Sequence, residues 1–148
     1  MDEVALVEAF PVRLYAICAL LLVLKMMAVG TATSVLRIRK SVFASPEDYR
    51  FQRLDPTARA DPEIERARRA HRNDLENVLP FLAVGPIYAL CEPSALGAWV
   101  CFVGFTTARI LHSIFYMRGR MPHRTIAFGI GFVLTLWMVL SSMWTLLR

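Results

Sequence analysis

The sequence predicts an all-α membrane protein, one domain over residues 1–148 built as a four-transmembrane-helix bundle. Three observations predict it. Hydrophobic residues make up 56% of the 148, and the mean hydropathy is +0.45, more apolar than a soluble domain of this length. Three apolar runs, Val12 to Leu36, Ala95 to Met117 and Thr125 to Leu147, each reach the ~20 residues needed to cross hydrocarbon. A fourth, Val78 to Cys91, is too short alone. No turn signal separates it from the ionic stretch Glu65 to Asn77, however, so a helix that starts upstream gains spanning length and carries Arg72, Asn73 and Glu76 to the membrane boundary.

The first run is not expected to be a cleavable signal but to stay as a membrane anchor. Its flank holds Asp2, Glu3 and Glu8 in place of positive charge, and it exceeds the ~7–15 residues of a signal core. Between it and the next span, residues 40–60 form the one sizeable polar loop, broken at Ser45-Pro46 and Asp55-Pro56. Ser45-Pro46-Glu47-Asp48 reads as a helix start, with Ser as N-cap, Pro in the first turn and acids near the positive end of the dipole. Asp61-Pro62-Glu63 repeats that logic and should cap the second long helix. Glu92-Pro93-Ser94 is a short turn before the third span, and Gly119 to Pro122 a short turn before the last.

Charge orients the bundle. Ten basic residues lie between the first two spans: Arg37, Arg39, Lys40, Arg50, Arg53, Arg59, Arg66, Arg68, Arg69 and Arg72. Arg118, Arg120 and Arg124 lie in or beside the last turn, whereas the opposite side holds Arg13 and Arg148. The positive-inside rule therefore places the basic side in the cytosol and both termini away from it. Topology accounts for the net charge of +5 without a nucleic-acid partner, although a polybasic surface facing anionic lipid would look the same. Cys18, Cys91 and Cys101 sit in or at the ends of spans with no CxxC spacing and read as packing residues. No metal site is expected, since His71, His112 and His123 lack a gathering spacing.

Polar residues inside spans are costly and usually face protein. Arg109, His112, Ser113 and Tyr116 stand at i, i+3, i+4 and i+7, one stripe of an otherwise apolar helix, and Arg69, Arg72, Asn73 and Glu76 repeat the spacing on the second helix. With Arg37 and Arg124/Thr125 at the same inferred depth, four helices converge their polar groups on one level. Guanidinium groups clamp carboxylates and a Glu receives an ammonium, so the set suits a small zwitterion. Each member has a plainer reading. Arg72 and Glu76 form an i,i+4 pair worth about 0.3–0.5 kcal/mol when exposed. His112 can serve as an interhelical hydrogen bond, and Tyr116 as part of an interfacial aromatic belt. Lys25 in mid-span calls for an acidic partner, Asp74 or Glu76, because an unpaired buried charge is expensive.

The residues that carry the pattern resemble a known family. Arg68-Arg69-Ala70-His71-Arg72-Asn73-Asp74-Leu75-Glu76-Asn77-Val78-Leu79-Pro80-Phe81, with Lys25-Met26-Met27, Val42-Phe43-Ala44-Ser45-Pro46-Glu47-Asp48 and Ala108-Arg109-Ile110-Leu111-His112-Ser113-Ile114-Phe115-Tyr116, is similar to the MAPEG family of membrane proteins in eicosanoid and glutathione metabolism. The similarity covers nearly the whole chain and points to the branch of microsomal glutathione transferase type 1 and microsomal prostaglandin E synthase type 1. It implies a homotrimer of four-helix subunits that binds glutathione between neighbours, toward the cytosol. It also implies an integral, multi-pass location: the endoplasmic reticulum in a eukaryote, the inner membrane in a bacterium.

Carried over by position, the glutathione contacts are Arg37, Arg72, Asn73, Glu76, His112, Tyr116 and Arg124. Arg124 is the implied thiolate stabiliser, and Asp48 matches an acid assigned a catalytic role in the synthase. Thr125 stands where the synthase has a serine proposed to assist the thiol, and Phe128 where it has a tyrosine. Threonine keeps a hydroxyl, but phenylalanine cannot donate a hydrogen bond. The turn before the last span is one residue shorter than in the synthase. Tyr49 replaces a cysteine whose modification activates the mammalian transferase, so activation by thiol reagents at that position is not expected.

The function implied is a membrane transferase that activates the glutathione thiol as thiolate for attack on a hydrophobic electrophile arriving from the bilayer, with lipid hydroperoxide reduction as a further activity. Met26-Met27, Thr31-Ala32-Thr33, Leu75-Glu76-Asn77 and Phe128 favour it. The alternative, a prostaglandin endoperoxide isomerase, rests on Asp48 and Arg72. A non-catalytic membrane scaffold is disfavoured by Arg124 and the complete clamp.

Overall fold

The computed structural model describes residues 9–54 and 61–148. Asp2, Glu3, Glu8, the Asp55-Pro56 break and Arg59 lie outside the described residues. Within them the chain is all-helical: α1 (Phe10–Lys40), α2 (Pro46–Gln52), α3 (Pro62–Leu90), α4 (Ala95–Met117, with a π-helical turn over Trp99–Val103) and α5 (His123–Leu146). Among the described residues, α1, α4 and α5 are long and apolar enough to cross a membrane. The ionic first half of α3 keeps that helix outside the same criterion, although its 29 residues give a length of about 43 Å.

α3 is the central helix and packs against α1, α4 and α5. It starts as its sequence dictates: the Asp61 carboxylate accepts from the backbone N–H groups of Glu63 (2.9 Å) and Ile64 (3.1 Å), with Pro62 in the first turn. Lys40 at the end of α1 bonds both Asp61 (2.9 Å) and Glu63 (2.6 Å), tying the two helix ends together. That ammonium, ahead of the two N–H donors, holds the Asp61 carboxyl below its usual range. The expected Ser45 cap is different. Ser45 occupies the N-cap position of α2, but its hydroxyl donates to the Asp48 carboxylate (2.9 Å) and makes no cap bond. A strong charged acceptor one turn away outcompetes the weaker role of accepting from the backbone.

Pro80 and Pro86 sit inside α3 without ending it. Pro86 lacks the N–H that would close on the Leu82 carbonyl, and the Tyr15 hydroxyl of α1 donates to that oxygen instead, at 2.9 Å. Tyr15 reaches it because residue 85 is glycine: a Cβ there would collide with the Tyr15 ring. The same ring continues an aromatic core. Phe81 and Phe105 stack with centroids 4.3 Å apart, and Phe102 and Tyr88 pack edge-on around them. Gly85→Ala is therefore expected to cost about 1–3 kcal/mol through overpacking, read as a lower unfolding temperature in detergent. Unaltered stability would show that Tyr15 has another place to go.

Candidate functional site

The ionic half of α3 presents different residues to different neighbours. Asp74 faces inward and is fully buried (0% exposed), as is Arg109 of α4. Lys25 of α1 bonds Asp74 at 2.5 Å, Arg109 Nη2 stands 3.4 Å from the same oxygen, and the Ser113 hydroxyl donates to the carboxylate at 3.2 Å. Of the two acids open to Lys25 from sequence, Asp74 is the partner. Burying two cations beside one carboxylate is tolerable only with such close contacts. Arg109 was visible in the polar stripe, but its pairing with Asp74 was not. The signal available was an acid one residue after Asn73 with no i±4 cation on its own helix.

Arg109 extends the cluster outward. Its Nη2 donates to Asn73 Oδ1 at 2.5 Å and lies 3.5 Å from His112 Nδ1. His112 is buried and packs edge-on against Tyr116, with centroids 5.5 Å apart, and near Phe128 at 6.2 Å. Over Tyr116 lies the Arg124 guanidinium, 4.5 Å from the ring centroid. Arg124, Tyr116, His112 and Asn73 thus form one connected run through Arg109. Asn73 and Glu76 also border a groove of about 520 Å³ between α3 and α5, whose other wall is Phe128, Phe132 and Leu136. Pro80 lines it too and deprives the Glu76 carbonyl of its i+4 partner.

The other predicted residues stand on the α1 flank of α3. Arg37, Arg68, His71 and Arg72 line a cleft of about 430 Å³ between α1 and α3. Arg37 also borders a second cleft with Asp48, Phe43 and Phe51. Arg72 and Glu76 form the i,i+4 pair at 3.1 Å, and their side chains are 81% and 56% exposed, so both charges remain available. The structure therefore gathers the sequence-predicted residues into two groups, joined at Arg72–Glu76. Thr125 is exposed, and its hydroxyl is 3.5 Å from Met121 Sδ. Tyr49 is buried and accepts from the Phe43 N–H at 3.0 Å. Among the described residues no cluster of His, Cys, Asp or Glu could hold a metal ion.

The arrangement offers guanidinium and amide donors for carboxylates, a carboxylate for an ammonium, and a long apolar wall beside them. Comparison with known proteins fits that chemistry. The sequence matches the MAPEG family over residues 15–144. It is 36% identical over 135 residues to the prostaglandin E synthase of Homo sapiens, covering 90% of this chain and 89% of that protein. The rat (Rattus norvegicus) prostaglandin E synthase is 42% identical over 110 residues, 74% of this chain and 71% of its own. Microsomal glutathione S-transferase 1 of Homo sapiens is 40% identical over 127 residues, 82% of either chain.

Proposed function

This chain belongs to the MAPEG family, and we propose that it is a glutathione-dependent membrane transferase that conjugates hydrophobic electrophiles and reduces lipid hydroperoxides. The observation that carries the reading is the connected run Arg124–Tyr116–His112–Arg109–Asn73 beside a groove with an apolar wall. Ionic groups hold the peptide: Arg37 and Arg72 take carboxylates, Glu76 receives the ammonium, and Asn73, His112 and Tyr116 complete the contacts. The thiol of glutathione is mostly protonated at neutral pH, and the reactive form is the thiolate. Arg124 stabilises that anion, each unit of thiol pKa corresponding to ~1.4 kcal/mol. The Thr125 hydroxyl is available to assist it.

With an aryl halide, the thiolate electron pair forms the C–S bond and the halide leaves with its own pair. With a hydroperoxide, the thiolate attacks the terminal oxygen, the O–O bond breaks, the sulfur becomes a sulfenic acid and the alkoxide leaves as the alcohol on taking a proton from solvent. The thiol of a second glutathione then attacks the sulfenic sulfur and displaces water to give the disulfide. No metal is needed in either path.

The protein is integral to the membrane, with three helices long and apolar enough to cross it; the 29-residue length of α3 supports reading it as the fourth span of a single-domain bundle. The basic cytosolic side puts the site at the cytosolic face, of the endoplasmic reticulum in a eukaryote or the inner membrane in a bacterium. One feature supports a homotrimer with the site between subunits. Arg37 and Asp48 lie on the α1 flank of α3 while His112 and Arg124 lie on the α4–α5 side. Apposing two subunits would bring the groups together.

Arg72→Ala is expected to weaken glutathione binding by about 1.5–3 kcal/mol, the worth of a charged hydrogen bond, in calorimetry on the solubilised protein. An unchanged affinity would return Arg72 to a surface pair with Glu76. A second reading, prostaglandin endoperoxide isomerisation, is favoured by Asp48, an exposed carboxylate on the cleft that Arg37 borders. Turnover of the endoperoxide that is lost in Asp48→Asn, with conjugation retained, would select it.

A further inference from the structure

We infer that Arg109, held by Asp74, is a positioning residue that fixes which atoms of Asn73 and His112 face the site, making it an array of donors built for an anion. The inference deepens the glutathione reading above and rests on it. Its starting point is that one nitrogen, Arg109 Nη2, stands within 3.5 Å of Asn73 Oδ1, Asp74 Oδ1 and His112 Nδ1. A guanidinium donates and never accepts.

That asymmetry dictates the neighbours. The amide atom of Asn73 at 2.5 Å from Nη2 has to be the oxygen, so the amino group is turned away from Arg109 and left for the groove that Asn73 borders. Asn73 is half-buried there, next to Glu76. His112 Nδ1 lies 3.5 Å from the same cationic nitrogen, a setting that favours an unprotonated Nδ1 over an N–H aimed at a donor, and so assigns the ring hydrogen to Nε2. His112 is then a fixed donor, not a base. Arg109 is placed to impose both choices: it is fully buried, its Nη2 pairs with Asp74 while Nε and Nη1 make no hydrogen bond among the described residues, and its stem lies against Gly131 of α5, where a Cβ would come within 3.4 Å of Cδ. Lys25 and Ser113 bond the same Asp74 oxygen, and the Ser113 hydroxyl also lies 3.3 Å from the other.

Two measurements test this, and they fail separately. In the full protein in lipid with nitrogen-15-labelled histidine, the His112 signal is identified by its loss in His112→Gln. It is expected to show an unprotonated Nδ1 and a protonated Nε2, and in Arg109→Lys to become a tautomer mixture. A proton on Nδ1 of the native protein, or a spectrum that Arg109→Lys leaves unchanged, overturns the inference whether or not glutathione binds.

The second measurement is glutathione affinity in Asn73→Asp. This variant keeps an oxygen for Arg109 and exchanges the amino donor for a second oxygen and a negative charge, which the adjacent guanidinium offsets, so the protein should still fold while glutathione binds about tenfold or more weakly. Native affinity in Asn73→Asp overturns the assignment of that donor. Absence of binding by the native protein itself instead defeats the proposed function and leaves the histidine spectrum to decide the role of Arg109.

Discussion

Replacing Arg124 with alanine is expected to lower glutathione-dependent kcat by about 10²–10³-fold, the usual effect of removing one preorganised stabiliser of a developing or standing anion. Glutathione affinity should change far less, because the proposed contacts from Arg37, Arg72 and Glu76 to the peptide's charged ends are untouched. Stability should also survive. Among the described residues the Arg124 guanidinium lies as a cation over the Tyr116 ring, worth about 0.5–1 kcal/mol at a partly exposed position. The measurement is turnover of an aryl halide together with the ultraviolet thiolate absorbance of bound glutathione. Arg124→Ala should abolish the absorbance and the turnover in parallel. Turnover that persists at the native rate would remove Arg124 from the chemistry and leave it as an anchor for Tyr116.

The second large effect falls on stability. Asp74→Ala strips the buried carboxylate from between Lys25 and Arg109, leaving two cations without their counter-ion. Breaking a buried pair this way costs about 3–5 kcal/mol, more than the mean substitution. The purified variant should unfold well below the native temperature in detergent, and Asp74→Asn, equal in size but uncharged, should recover little. Near-native unfolding of Asp74→Asn would mean that hydrogen bonding, and not charge, holds the cluster.

The sequence made some of this legible for physical reasons. The Asp61 cap and the unbroken run from α3's ionic half into its apolar half follow from local signals, which the helix obeys from Pro62 to Leu90. The cost of a lone charge in hydrocarbon was enough to demand an acid for Lys25, and Asp74 supplies it. Other features depend on how helices cross. That Arg109 reaches Asn73, 36 positions earlier, is set by the approach of α3 and α4. The division of the predicted site between the α1 and α5 flanks of α3 is likewise invisible to spacing, which places residues on a helix face but not against a neighbour. The π-helical turn at Trp99–Val103 has no proline or glycine within it to announce it. At Ser45, the cap signal was present, yet the Asp48 carboxylate claimed the hydroxyl. The roles of Arg37, Arg124 and Asp48 came from the family resemblance, since composition and periodicity alone indicated only a polar level on four helices.

The decisive test is an activity measurement on the purified protein in detergent, given glutathione with an aryl halide, a fatty-acid hydroperoxide or a prostaglandin endoperoxide. Conjugation of the halide should saturate with glutathione and exceed the uncatalysed rate, accompanied by hydroperoxide reduction. No glutathione-dependent acceleration with any of the three substrates would refute the glutathione reading of the site.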